Sequence, residues 1–175
     1  MTTQKKQCSF CSSYKNTMDC SHCQDVCCKA CLTFVETDQD FQFDSELSNK
    51  HKNQSYCPTC SAQVLATDLN LYEDTLQRAK EILVFDISQS KETRLLSRKE
   101  KPIKIFNEQD RQVITLKMAY KAAQLGFNAI IDCDIKAKKI RDGSYQTTAY
   151  DGSCIPTQVS DNKLIKDRSI WSNPN

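Results

Sequence analysis

The stretch Cys20–Cys31 reads CSHCQDVCCKAC, five cysteines in twelve residues, with Cys27 and Cys28 adjacent. It contains two Cys-x-x-Cys pairs, Cys20/Cys23 and Cys28/Cys31, and one sulfur left over. Working outward, the same spacing recurs before it at Cys8/Cys11 in CSFC and after it at Cys57/Cys60 in CPTC. A Cys-x-x-Cys turn presents two sulfurs to one metal while nearby backbone N–H groups stabilise the thiolates, and two such turns complete a tetrahedral zinc site. Four pairs therefore supply eight ligands and predict two zinc ions per chain, with Cys8, Cys11, Cys20, Cys23, Cys28, Cys31, Cys57 and Cys60 as the metal residues. Counting alone does not say which pairs share an ion, because four pairs can be combined in three ways.

The cysteines also mark a boundary. Nine of the eleven precede Ser61, and only Cys133 and Cys154 follow it. At 175 residues the chain has room for two small modules, since domains run from roughly 50 to 200 residues. No apolar run approaches the roughly 18–20 residues needed to span a bilayer, and MTTQKKQCSF lacks the apolar stretch of a secretory signal. A cytoplasmic location is expected, where clustered cysteines hold metal rather than pair as disulfides. Residues 1–65 carry six Lys, no Arg and seven acidic residues, a net charge of −1. The other 18 basic and 15 acidic residues give +3. Eight thiolates around two divalent ions contribute a further −4 to the first module, whereas a nucleic-acid finger would carry an excess of Lys and Arg. No nucleic-acid partner is expected.

The chain is expected to be α+β, an N-terminal cross-brace double-zinc module followed by a small sheet with one long packed helix. The boundaries read as 1–66 for the zinc module, 67–80 for a connecting helix, 81–159 for the second domain and 160–175 for a tail. Residues 1–7 read as a flexible lead, and the polar stretch 38–54 as a loop or short helix whose Phe41 and Phe43 can pack on the module. Leu69, Tyr72, Leu76 and Ala79 recur at helical spacing. EILVFDIS over 81–88 predicts a strand, 90–104 a charged surface loop, and 103–106 a short strand. Asn107 is expected to cap a helix over 108–125 with Val113, Leu116, Tyr120 and Ala123 as its apolar stripe, Ala119 beside it, and Gly126 as its left-handed exit. Residues 128–140 then read as a strand, Asp142-Gly143 as a turn and 145–150 as the returning strand. Strict alternation puts Ile131, Cys133 and Ile135 on one face, with Cys133 in the core. The tail around Trp171 either docks a hydrophobic patch or frays.

The ligand spacing from Cys8 to Cys60 resembles the FYVE and Rab-effector type of double zinc finger. The resemblance implies that the first and third pairs, Cys8, Cys11, Cys28 and Cys31, share one zinc. It implies that the second and fourth, Cys20, Cys23, Cys57 and Cys60, share the other. FYVE-like fingers carry an apolar residue just before the first ligand of the third pair, so Cys27 is expected to be a small buried hydrophobe. Phosphoinositide-binding members carry WxxD before the fingers and a basic RRHHCR motif. TTQKKQ and NTMDCSHC stand in those places here, so phosphoinositide binding is not expected. In a RING-type ligase core the ligand after Cys20 and His22 would fall at Asp25, where the fit fails. His22 and His51, the only histidines, read as exposed loop residues that can also substitute as ligands.

A second resemblance covers about Thr115 to Val159. MAYKAAQLGFNAIIDCDIKAKK followed by GSYQTTAYDGSCIPTQV is similar to the small α+β domains of the YbjQ and RcsF type, through Ala122, Ala123, Gly126, Asn128, Ala129 and Gly152. It implies a possible homo-oligomer, since YbjQ-like domains form rings, and it brings no catalytic residues. Three glycines, Gly126, Gly143 and Gly152, cannot build GxGxxG or a Walker loop. Both histidines lie in the zinc module, so a Cys–His or Ser–His pair within 66–175 is absent. Asp132 and Asp134 form a carboxylate pair that reads as a solvated face. No enzyme and no catalytic residue are expected. The sequence points to a protein-binding or scaffold role with structural zinc. The alternatives are a ubiquitin-ligase-like adaptor, or a metal or redox sensor using Cys27, Cys133 or Cys154.

Overall fold

The computed structural model describes residues 6–143 and 145–160. Within them lie short strands β1 (Thr17–Asp19), β2 (Val26–Cys28) and β3 (Thr33–Phe34), and helices α1 (Thr37–Asp40) and α2 (Ser45–His51). Next come β4 (Ser55–Tyr56), α3 (Pro58–Cys60) and α4 (Ala66–Lys80), the two helices joined by a π-helical turn at Ser61–Leu65. The remainder holds β5 (Leu83–Asp86), β6 (Ile103–Glu108), α5 (Arg111–Gln124), β7 (Ala129–Asp142) and β8 (Tyr145–Thr157). The fold is α+β, and it divides into two compact units between Asp74 and Thr75. Among the described residues no helix is long and apolar enough to cross a membrane.

In the first unit β1 pairs antiparallel with β2, and β3 with β4. The polar stretch 38–54 is more than an insertion. Asp44 caps α2 by accepting from the N–H groups of Glu46 and Leu47, both at 3.0 Å, which satisfies donors that a helix start leaves open. The capped helix carries His51 inward, where Phe41 stacks on it at 5.0 Å and also meets the edge of Tyr72. Phe41, Tyr56, Leu65 and Tyr72 are buried, and Phe43 is half-buried.

The second unit is a four-stranded sheet of order β5-β7-β8-β6, with β5 parallel to β7 and the other neighbours antiparallel. β6, α5 and β7 form a split crossover, with β8 inserted between two strands that run the same way. β8 extends to Thr157, well past the expected hairpin arm, because it pairs with β7 on one side and β6 on the other. The expected strand over 81–88 shortens to β5, since Asp86 and Gln89 form a capping box that opens a 3-10 turn at Ile87–Gln89.

Asn107 does not cap α5. The strand runs on through Glu108, Asn107 sits at φ +63° in its bulge with its N–H on Asp151, and Asp110 caps the helix instead. Asn tolerates that left-handed backbone, whereas a cap must precede the first helical N–H groups. The buried stripe of α5 is also broader than the expected one and only partly coincides with it. Tyr120, Ala123 and Ala119 are buried as expected, Ile114, Met118 and Ala122 are fully buried as well, and Val113 and Leu116 are only half-buried. Gly152 explains how close α5 sits. A Cβ there would meet Ile114 Cδ1 at 3.0 Å and Met118 Cε at 3.3 Å. At the end of α5, Gly126 takes φ +82° as expected.

Strict alternation fails in β7. Ile131 pairs with Ile155, but the register then shifts so that Asp134 pairs with Ser153 and Ile135 with Gly152. Ile131 and Ile135 therefore lie on opposite faces, and Asp132 takes the strained conformation at φ +50°. A bulge adds one residue and resets the period-two pattern. Cys133 is buried, as expected.

The face opposite α5 is covered by the segment 90–102, whose Leu96 packs with Ala129, Ile131 and Val159. Charge alone marked this segment as surface, yet Thr93 and Leu96 are buried. Arg98 anchors it, donating from Nε and Nη2 to the two oxygens of Asp132 at 2.6 and 2.9 Å and from Nη1 to the Thr93 carbonyl. Asp132 is thus spent on an ion pair, and Asp134 on Lys136. Residues 1–5 of the lead and 161–175 of the tail, including Trp171, lie outside the described residues.

Candidate metal centres

Each Cys-x-x-Cys pair sits on a turn shaped by its own backbone. In the first, Ser12 N–H donates to the Cys8 carbonyl, and in the second Gln24 N–H donates to the Cys20 carbonyl. Both turns close on a non-glycine residue in the left-handed region, Ser12 at φ 59° and Gln24 at φ 68°. Such residues cost about 1–2 kcal/mol, a strain that nothing in the sequence pattern announced. The third pair starts on the last residue of β2, with Cys31 and Leu32 N–H groups both donating to the Cys28 carbonyl. The fourth opens a helix. Cys57 is its N-cap, its sulfur accepting from Cys60 N–H at 3.4 Å, and Pro58 stands at the first helical position. Pro58 was a usable signal for that start, because proline at the first helical position loses no needed donor.

Four backbone and side-chain contacts interleave the pairs. Ser9 N–H donates to the Val26 carbonyl and Lys29 N–H to the Asn16 carbonyl, joining the first turn to the third. Ser21 N–H donates to the Ser55 carbonyl, and Ser55 N–H to Ser21 Oγ, joining the second turn to the strand before Cys57.

Two groups of four sulfurs result: Cys8, Cys11, Cys28 and Cys31, and Cys20, Cys23, Cys57 and Cys60. Within each group all four Sγ atoms lie within 4.8 Å of one another. A tetrahedral zinc with Zn–S bonds near 2.3 Å needs sulfur–sulfur edges of about 3.8 Å. Cys11 and Cys28 approach at 3.4 Å, and Cys23 and Cys57 at 3.7 Å. The residues fit two metal ions, and each group has four donors, which closes a tetrahedral shell without water.

The electrostatics prepare one thiolate in each group. N–H groups of Cys11, Cys28 and Phe10 bring the Cys8 thiol down to about 6. Burial pushes Cys20 up, but the N–H groups of Cys23, Cys57 and His22 outweigh it and bring Cys20 down to about 6. Their neighbours go the other way. Hydrogen bonding with Cys11 and Cys28 raises Cys31 to about 12. The N–H of Asp25 favours the Cys23 thiolate, yet burial and the Asp25 carboxylate, which accepts from Cys23 Sγ at 3.3 Å, keep that thiol protonated well above its ordinary value.

Cys27 belongs to neither group. It is fully buried, it faces Met18 across the β1–β2 pair, and burial raises its thiol to about 11. Cys154 is buried as well, and hydrogen bonding with Cys133 together with burial pushes its thiol far up.

The two histidines divide. His22 is exposed, as expected, but His51 is fully buried and lies in neither sulfur group. With Nε2–H donating to Asp68 Oδ2 at 2.8 Å, Nδ1 accepts from the Tyr56 hydroxyl at 2.8 Å. Burial opposes ionisation of Asp68, but hydrogen bonds from Lys50 and His51 overcome it and hold the carboxyl below its usual value. Tyr56 immediately precedes Cys57, so this network braces the fourth pair from behind. The sequence offered a weak signal, a histidine at the end of a capped polar helix, and reading 38–54 as a loop or short helix did not show which way it would turn.

No family model matches the chain, and no curated protein or solved structure is significantly similar to it.

Proposed function

We propose that the first unit is a double-zinc protein-recognition module in which both ions are structural. The observation that carries this reading is the interleaving of two all-thiolate groups, each complete with four sulfurs. A tetrahedral S4 set selects zinc or iron–sulfur chemistry, and a closed shell leaves no position for a reacting water. Holding two ions ties together segments that have only a small apolar core, and so supports a surface of defined shape. One such surface is a concavity of about 500 Å³ lined by Met18, Phe34, Val35 and Thr37 on one side and Lys52, Asn53 and Gln54 on the other. Met18 and Phe34 are exposed there, which suits docking of a protein partner. The FYVE-like ligand spacing supports the same module type, and the YbjQ-like resemblance of residues 115–159 supports self-association of the second unit. The buried, protonated thiols of Cys27 and Cys154 favour this reading over a redox sensor, which needs an accessible thiolate.

Elemental analysis combined with native mass measurement tests it. Two zinc ions per chain are expected, and one, none, or iron would overturn the proposal. Recognition is tested separately by replacing Phe34 with Asp and Lys52 with Glu. The double variant is expected to keep both ions and to lose the partners that the intact chain captures by cross-linking. Unchanged capture removes this face from the proposal.

A further inference from the structure

We propose a second binding site, in the second unit, for one aliphatic carboxylate such as a medium-chain fatty acid. A notch of about 450 Å³ opens between the end of α4, β5 and α5, within the roughly 300–1,000 Å³ of small-molecule sites. Its walls are apolar, made by Ala79, Ile82, Val84, Leu116 and Ala119. The space exists because small residues, Ala79 and Ala119, face it where larger side chains would close it. Arg78 holds the two helices at this separation by donating from Nη1 to the Ala123 carbonyl at 3.2 Å. The floor is the edge strand β5, whose Val84 remains 44% exposed.

Charge selects the ligand. Lys80 and Arg111 both line the notch, and no carboxylate does. The nearby acids are engaged elsewhere. Asp110 accepts from the N–H groups of Gln112 and Val113, Glu81 accepts from Gln77, and Asp86 accepts from Ser88 N–H while feeling the Arg111 charge from outside the lining. Two cations at the rim of an apolar notch complement a molecule with one anionic head and one hydrocarbon tail. A guanidinium fork matches a carboxylate in two-point geometry, and Lys80 adds a mobile point charge.

The experiment titrates the full zinc-loaded chain with decanoate, decanol and decyltrimethylammonium below their aggregation limits, following methyl signals by NMR and mass by native spectrometry. Saturable 1:1 binding of decanoate, with shifts confined to Val84, Leu116, Ala119 and their neighbours, is expected. Decanoate should bind at least roughly tenfold more tightly than the other two, the scale of a lost charge-assisted contact. Lys80→Gln with Arg111→Gln should erase that preference while leaving decanol unchanged. Leu116→Trp, which fills the notch, should abolish binding of all three. If Leu116→Trp does not fold, the charge variant decides alone. Equal binding of the cationic or neutral probe, absence of saturation, or concentration-dependent dimer formation with the same methyl shifts and no ligand would each overturn the proposal.

Discussion

At the scale of single residues, Cys27 and Cys28 illustrate how neighbours with the same chemistry take different roles. β2 turns Cys28 toward Cys11 and buries Cys27 against the module instead. Cys27→Ala is expected to keep two zinc ions per chain and to cost about 1 kcal/mol of stability, as for loss of a small buried group. Cys28→Ala should lose the ion of its group, a difference that native mass measurement reads directly. His51 is the other decisive residue. His51→Ala leaves the buried Tyr56 hydroxyl and Asp68 without their shared partner and empties the space against Phe41. A loss of about 3 kcal/mol is expected from a denaturant midpoint, from the unpaired polar groups and the cavity together. A midpoint unchanged from the parent would show that the network does not brace the module.

At the scale of elements, the same physics decided where reading by period succeeded. α4 and α5 are long enough for helical spacing to be visible, and Gly126 has the one backbone conformation that the exit requires. Phase was harder to read. Apolar residues lie around most of α5, so which face is buried most deeply depended on Gly152 opening a place for Ile114 and Met118. Gly152→Ala is expected to destabilise the second unit by about 1–3 kcal/mol through overpacking, seen as a lower melting temperature with zinc content unchanged. β7 shows the opposite limit, because one bulge at Asp132 puts Ile131 and Ile135 on opposite faces, although Cys133 is buried as alternation implied. Its Arg98 pair makes a related prediction. Arg98→Ala should accelerate amide exchange at residues 93–98 while the β7–β8 pairs stay protected.

At the scale of the whole molecule, the two units rest on different sources of stability. The second has a sheet covered on both faces, by α5 and by Leu96 with its neighbours. The first depends on its sulfur groups. A chelator is therefore expected to abolish protection of residues 8–60 and leave the strands of the second unit protected, because metal binding energy is folding energy in such modules. Low pH should act in the same direction. Cys8 and Cys20 have folded values near 6, below the ordinary thiol value of 9.0. Their thiolates stabilise the fold above the ordinary value, and that contribution is lost as pH falls through about 6. Zinc affinity should weaken over the same range as protons compete for these two sulfurs, which a zinc-competition titration between pH 8 and pH 5 measures.

The ligand set was legible in the sequence because a Cys-x-x-Cys turn is a local object: its chemistry is complete within four residues, and repetition four times leaves little else for the sulfurs to do. The α+β character, the helix exit at Gly126 and the burial of Cys133 were legible for similarly local reasons. Only the tertiary structure decided the grouping of the pairs, the inward turn of His51, the anchoring of Arg98 on Asp132 and the faces of β7. Each depends on segments far apart in the chain meeting. Returning to CSHCQDVCCKAC, its four ligand-spaced sulfurs divide between two groups, and the fifth, Cys27, is buried outside both. Which is which is set by contacts with Ser9, Asn16 and Ser55, outside the stretch itself.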